Sequence, residues 1–518
     1  MSNDNVLLFA SEFVRRELGE IELNPASLAE SLENVGGFDR QASAIVKVFK
    51  KNNVEKIVTL AAEFKISLYP FSRGCNWGYG SKLPVNDGAI LLDLSNLNTI
   101  IAINEAHGVA TIEPGVTQIQ LAHELEKRKS RYFLDVTGSG KQTSVLGNAL
   151  ERGIAYGSLR VQQLAGIEVV LADGSTLRTG FGDYENPVLA GLYSYGLGPS
   201  LDGLFFQSNL GIVTEGELQL SLRPEKLVAV SVSISQKNLK VFVDEIAELK
   251  KQVVIHGIPH LADRERMLST LAPLVMDDVG IDLGKARTMI EKVVNADWVL
   301  TTSVSGSKEI VKYKIRELKK RVSKLGKIYT HDFDQPNWKK NIENVFLKVL
   351  ASKEQQFVIK ASEQLRGFHQ GKPSDAGIRF LLDNTNKIVD QNAQGFLLCT
   401  PLAPLSGESA ESFYKLTQEC SLFYNVQYAM TQNMINDRVL EAVISVHFDR
   451  RSEVETKNAH AFINAMNKVF SSRGFYPYRI NIDQQAERNE KLNSLNTVVR
   501  KIKQALDPQG VIAPGRYI

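Results

Sequence analysis

Apolar and polar positions in the N-terminal half change period every few residues, as they do where short strands and helices alternate. In residues 54–65 (VEKIVTLAAEFK), Ile57, Leu60, Ala61 and Phe64 fall on one face at helical spacing. ISLYPFS (66–72), AILLDLS (89–95) and VATIEPG (109–115) read as strands, and TQIQLAHELEKR (117–128) reads as a helix. Within 164–180 the runs IEVVLA and STLRTG flank Asp173-Gly174, a dipeptide suited to the positive φ angles of a tight hairpin turn. No regular strand–helix–strand repeat emerges, so the pattern predicts an α+β fold rather than a doubly wound sheet. Near residue 224 the texture changes. Beyond Pro224, Val228, Val230, Val232 and Ile234 alternate as in a half-buried strand. Longer helices are predicted at 238–252, 307–326, 408–423 and 491–506, the last stopped by the turn chemistry of DPQG. The segment 312–327 is strongly basic and reads as a solvated helix face.

Length adds a constraint that patterning alone does not. A chain of 518 residues exceeds one ordinary core and implies at least two domains. A net charge of +3 at this length leaves no electrostatic footprint for nucleic acid. The three cysteines, Cys75, Cys399 and Cys420, cannot build a disulfide framework, and no Cys-x-x-Cys pair marks a metal site. A reducing, cytoplasmic setting is expected. The start, MSNDNVLLFASEFVRRELGE, lacks the basic region and cleavage site of a signal peptide. No apolar run approaches the roughly 18–20 residues that a membrane span needs.

The segment 70–80, PFSRGCNWGYG, carries the most chemistry. Glycines and an asparagine following a strand can turn backbone N–H groups inward, and such a concave run of donors binds phosphate oxygens without a lysine. It fits neither the dinucleotide fingerprint G-x-G-x-x-G nor the phosphate loop ending in Gly-Lys-Ser/Thr. Read alone it is either a tight loop or a phosphate cradle.

SRGCNWGYG, followed by VNDGAILLDLSNLNTI and VATIEPGVT, resembles the FAD-binding domain of the vanillyl-alcohol-oxidase / p-cresol-methylhydroxylase family. The likeness continues through LDVTGSGKQTSVLGNALERGIAYG, AGIEVVLADGSTLRTG and YGLGPSLDGLFFQSNLGIVTEGELQL, and returns in DPQGVIAPGRYI at the C-terminus. It implies an FAD-dependent oxidoreductase with an α+β, two-subdomain FAD-binding domain from residues 1–224 and an α+β cap from 225–474. Residues 475–518 would return to the FAD-binding domain. By position, Ser72, Arg73, Gly74, Cys75 and Asn76 would hold the pyrophosphate. Gly147, Asn148, Asn209, Gly211 and Ile212 would line the flavin and adenosine. Glycines allow backbone to approach a ligand closely, and asparagine amides both donate and accept. Taken singly, each is also an ordinary turn residue.

The resemblance further implies a substrate site. In the 4-alkylphenol oxidisers of the family, two tyrosines and an arginine cradle the phenol as phenolate, and Tyr79, Tyr478 and Arg479 fall at similar positions. That implies oxidation of a para-substituted phenol at its side chain, with benzylic hydride passing to flavin N5 and a quinone methide remaining. Two departures from the family pattern leave other readings open. Phe396, in AQGFLLCTPLAP, stands where relatives carry the histidine that links FAD covalently, so no histidyl link is expected; Cys75 and Cys399 are the nearby thiols. Thr137–Ser139 stands where close relatives carry a catalytic aspartate, while Asp135 matches a different position of that block. An FAD enzyme acting on a non-phenolic alcohol or a biosynthetic intermediate, and a non-catalytic flavoprotein subunit, are the alternatives. The expected ligand is a small aromatic molecule. A homodimer rests on family analogy alone, and no metal, nucleic acid or membrane is expected. Among further cap residues, Arg438 could face the flavin or the substrate, His447 reads as structural, and His369 lies in a loop that the resemblance gives no role.

Overall fold

A computed structural model describes residues 3–335, 351–382, 388–490 and 493–518. Near the N-terminus four strands form a sheet in the order Glu20–Glu22, Ala42–Lys47, Ala89–Asp93, Leu68–Phe71, and the last three run parallel. Ala89–Asp93 is central and covered on both faces, which is why AILLD reads as an unbroken apolar run. The helix Asn53–Glu63 packs Val54, Ile57, Val58, Leu60 and Ala61 inward. The C-terminal run extends this sheet: Leu68 N–H donates to Val511 O at 2.7 Å, and Ala513 N–H donates to Leu68 O at 2.7 Å.

A second sheet of five antiparallel strands has the order Ile100–Asn104, Val109–Ile112, Ile212–Gln219, Leu164–Val170, Thr176–Arg178. The turn at Asp173-Gly174 forms as predicted, with Gly174 at φ 84°. The helix Gln118–Lys127 starts from a capping box in which Thr117 and Gln120 satisfy each other's backbone N–H groups.

The third sheet has nine strands. Gly326–Asp332, Lys226–Ile234, Trp298–Gly306, His260–Asp263, Tyr428–Met434 and Val439–Asp449 lie side by side, Gln394–Cys399 and Pro401–Pro404 both pair with the last of these, and Tyr476–Pro477 pairs with Pro401–Pro404. Its two faces differ. Val228, Val230, Val232, Leu300, Leu261, Met430 and Ile444 point to one side and pack with Phe242, Ile246, Leu318, Phe413 and Phe462 of four helices, Leu239–Lys251, Lys308–Val322, Gly407–Tyr424 and Glu453–Ser472. On the other side the register aligns a polar row across the strands: Tyr329, Ser231, Thr301, His260, Asn433 and Glu441, each opposite the next. A third group of helices, Arg264–Val279, Leu283–Val293 and Lys353–Arg366, shares a core with the five-stranded sheet. The alternation starting at Val228 is therefore a sheet with one face in the core and the other left for chemistry.

The basic segment 312–327 is helical only to Val322, and Lys327 belongs to a strand. Gly326 allows the switch, since a Cβ there would lie 2.5 Å from Ser233 O. The last predicted helix runs Ser494–Leu506 behind an Asn493 cap, and residues 491–492 fall outside the described residues. Among the described residues no helix is long and apolar enough to cross a membrane.

Candidate active site

Between the loops of the two smaller sheets and the polar face of the large sheet lies a cavity of roughly 1450 Å³. That exceeds the usual range for a drug-sized ligand, about 300–1,000 Å³, and suits a dinucleotide together with a substrate. The strand Leu68–Phe71 delivers the glycine-rich loop into it. Gly74 and Gly78 hold φ 68° and 80°, values that side chains disfavour. The loop is pinned by Asp390, which accepts from Ser81 Oγ at 2.6 Å and Trp77 Nε1 at 3.2 Å. Ser144 caps the short helix Val145–Leu150 and presents Gly147 and Asn148 to the same space. A Cβ on Gly147 would sit 2.4 Å from Ser72 Oγ. Asn148 Oδ1 is buried without a partner, as an atom kept for a ligand would be.

Of the residues expected to hold the cofactor, Ser72, Arg73, Gly74, Cys75, Asn76, Gly147, Asn148, Gly211 and Ile212 line the cavity together. Asn209 does not. It is buried, its Nδ2 donates to Ala513 O at 3.0 Å, and its carbonyl accepts from Lys503 Nζ at 2.7 Å. It tethers the C-terminal segment whose Ala513 and Arg516 reach the cavity, and its side-chain Oδ1 is buried without a partner.

Tyr79, Tyr478 and Arg479 converge although about 400 residues separate the first from the others. The Arg479 guanidinium stacks on the Tyr79 ring at 4.3 Å and donates to Asn76 Oδ1 in the glycine loop. Tyr79 Oη donates to Thr400 Oγ1 at 3.2 Å. Glu151 lies 3.7 Å from Arg479 Nε and is bound by Arg516 and by Tyr517 Oη at 3.1 Å. Burial pushes the Tyr79 phenol up to about 12 and Tyr478 well above its ordinary value, so both remain protonated donors.

Sequence reasoning missed Glu441. It is fully buried and lines the cavity, and burial raises its carboxyl to about 7 against the opposing pull of Asn433 and Arg479. Asn433 Nδ2 donates to Glu441 Oε2 at 2.8 Å, and Asn433 Oδ1 is 2.7 Å from His260 Nδ1. Burial holds His260 near 4, hence neutral. The missed signal was the strand period: Glu441 shares a face of VLEAVISVHFD with Ser445 and His447, while the alternate positions Leu440, Ala442, Ile444 and Val446 are apolar.

At Thr137–Ser139 the cavity meets hydroxyls. Thr137 Oγ1 and Ser139 Oγ are 2.6 Å apart, and Ser139 Oγ lies 3.0 Å from Thr143 Oγ1. Asp135 faces away and accepts from Gly157 N–H, Ser158 N–H and Gln163 Nε2, a loop-tying role. Phe396 lines the cavity and packs on Phe380 and His447. Cys75 lines it too, with burial raising its thiol to about 12, whereas Cys399 is turned to Asn467 Oδ1 at 3.3 Å. Arg438 is exposed beside Asp437 and does not approach the cavity. His369 lines it as a buried ring against Tyr156, and His447 is a buried neutral ring behind Phe396. Among the described residues no cluster of metal-ligating side chains occurs.

Residues 42–180 match the family described as FAD binding domain. The chain is 29% identical to 1'-carboxy-chondrochloren decarboxylase of Chondromyces crocatus over 490 residues, covering 92% of this chain and 90% of that protein. It is 27% identical to the 4-cresol dehydrogenase [hydroxylating] flavoprotein subunit of Pseudomonas putida over 492 residues, covering 92% and 87%. Its fold matches 4-ethylphenol oxidase from Gulosibacter chungangensis, solved as an isoeugenol complex, with a TM-score of 0.86 over 100% of this chain and 98% of that one, at 22% identity.

Proposed function

We propose that the chain is an FAD-linked oxidoreductase of the vanillyl-alcohol-oxidase / p-cresol-methylhydroxylase type that oxidises a para-substituted phenol at its side chain. The meeting of Tyr79, Tyr478 and Arg479 beside Glu441 carries this reading. A phenol ionises near pH 10, so holding the phenolate at neutral pH takes donors and a fixed positive charge. Arg479 supplies the charge, and the protonated tyrosines supply the donors. Glu441, poised near 7 beside Tyr478, accepts the phenol proton through the Tyr478 hydroxyl. Electron density then moves toward the para carbon, and hydride leaves the benzylic carbon to give a quinone methide.

FAD, when bound, supplies the acceptor for that hydride. Ser72 to Asn76 would hold its pyrophosphate, with Gly147, Asn148, Gly211 and Ile212 along the rest. Phe396 has no atom able to form a histidyl-type link. We take 1–224 with 475–518 as the FAD-binding domain and 225–474 as the cap.

A second reading, oxidation of a biosynthetic intermediate rather than a free alkylphenol, draws on the decarboxylase relative and on the absence of a carboxylate at Thr137–Ser139. Anaerobic mixing of the FAD-loaded protein with 4-propylphenol separates the two. Flavin bleaching is expected, and Arg479→Ala should slow it by about 10²–10³-fold, the usual cost of removing a charge-stabilising donor. Bleaching at the same rate in that variant would sink the phenolate cradle.

A further inference from the structure

Arg266 is a cation in the cavity that the proposed chemistry does not use. It sits in the first turn of the helix Arg264–Val279 and lines the cavity among Phe380, Phe396, Leu398 and Val443. Its Nη2 donates to Ser445 Oγ at 2.8 Å, and its guanidinium lies 5.8 Å from the Phe380 ring centre. Its Nε is buried with no partner. Among the described residues it forms no ion pair. Asp263 and Glu265 lie near enough to offset part of its charge, but neither carboxylate contacts the guanidinium: Asp263 accepts from the backbone N–H groups of Arg266 at 2.7 Å and Met430 at 3.0 Å, and Glu265 is held by Arg287. A desolvated guanidinium tied to one neutral hydroxyl is costly to keep, and an apolar side chain would fill the same space at less cost.

Its position relative to the phenol end follows from strand geometry. Glu441 and Ser445 share a face of Val439–Asp449, because side chains alternate and the two are an even number of positions apart. Four residues of strand span about 13 Å. The phenol end near Tyr478 and the Arg266 end are therefore separated along the strand by a length on the order of an aromatic ring with a short side chain and its polar contacts.

We propose that Arg266, braced by Ser445, binds a carboxylate at the far end of the substrate's side chain. The substrate class is then a 4-hydroxyphenyl compound ending in an acid rather than a neutral alkylphenol. The phenolic end rests on the function proposed above; the anion site rests on Arg266 alone. Arginine suits it because its planar fork meets both carboxylate oxygens.

Ligand titrations of the FAD-loaded protein, followed by perturbation of the flavin spectrum, test this with three probes: 4-hydroxyphenylpropanoate, 4-propylphenol and phenylpropanoate. The wild-type protein should bind 4-hydroxyphenylpropanoate at least about tenfold more tightly than 4-propylphenol, as one charge-assisted contact predicts. Arg266→Met should erase that preference and leave 4-propylphenol binding unchanged, and Arg266→Lys should restore part of it. Equal wild-type affinities for the acid and the neutral phenol would overturn the proposal. So would a variant that weakens both ligands alike, which is the mark of a structural role. Arg266-dependent binding of phenylpropanoate would keep the anion site even if neither phenol gained from its hydroxyl, and the phenol reading would then fail separately. No perturbation by any of the three would overturn both.

Discussion

The wall made by residues 70–81 and 144–153 brings glycines and backbone to the cavity between larger side chains such as Arg73, Trp77 and Tyr79, whereas the wall made by the nine-stranded sheet presents side chains at every second position. The first is built for close approach: Gly74, Gly78 and Gly147 stand where a Cβ would strain the backbone or strike a neighbour. The second is built for reach: His260, Asn433, Glu441 and Thr431 project from paired strands. A ligand held by backbone groups is recognised by shape and charge common to many relatives. A ligand held by sheet side chains can change whenever one inward position changes. On the proposed function, most cofactor contacts fall on the loop wall and most substrate-selecting side chains on the sheet wall, and Tyr79 of the loop wall, stacked against Arg479, joins the two.

The strongest way to break that separation is to act where the walls touch. A Cβ on Gly78 would lie 2.9 Å from Leu398 Cγ and 3.3 Å from Phe396, both on the sheet wall, and Gly78 has φ 80°. Gly78→Val should therefore cost about 2–4 kcal/mol from the left-handed backbone and overpacking together. The purified variant should also have lost most of its flavin. The flavin-to-protein absorbance ratio and the melting temperature check this; full flavin retention would mean that the loop holds the cofactor independently of the sheet.

A smaller effect, confined to one wall, is expected at Glu441. Burial raises its carboxyl to about 7, so a proton-accepting role predicts reduction rates that fall as pH drops below about 7. Glu441→Gln should lower the reduction rate by about 10²-fold, flatten that limb of the profile and leave flavin content intact. A variant that keeps the acidic limb would assign it to another group.

The same contrast explains which parts of the site are legible in the sequence. The loop wall is contiguous along the chain, so SRGCNWGYG and SVLGNALERG declare it. Asn209 stands apart there: its Nδ2 serves the C-terminal tether, while its Oδ1 is buried without a partner. The sheet wall is assembled from strands far apart in the chain. Tyr478 and Arg479 are legible only through resemblance. Glu441, Asn433 and His260 are not, because their meaning lies in register across antiparallel neighbours, which no single strand encodes. Arg438 lies next to the right strand but at its exposed end. The α+β character follows from periodicity, and the length of the large sheet does not, since its order depends on non-local pairing.

The smallest expected effect concerns stability on the sheet side. Burial lowers His260 to about 4 and His369 and His447 to about 3, from an ordinary value of 6.5. Below pH 6.5 the unfolded chain therefore binds more protons at these rings than the folded chain does. Their contribution is complete above pH 6.5 and is lost as the pH falls toward the folded values. Glu441 and Asp263, raised by burial to about 7 and 6, act in the opposite direction, because their folded forms hold the proton longer. The histidine contribution is isolated by a difference. His447 lies outside the lining of the cavity, but it touches Ser445 at 3.4 Å and packs on Phe396, so its replacement is followed by melting temperature rather than by activity. One ring is worth about 1.4 kcal/mol per pH unit below 6.5, which for a chain of this size is about 2 °C or less in melting temperature. His447→Gln should reduce the fall in melting temperature between pH 7 and 5.5 by about that amount. An unchanged slope would mean that His447 gains its proton without opening the sheet.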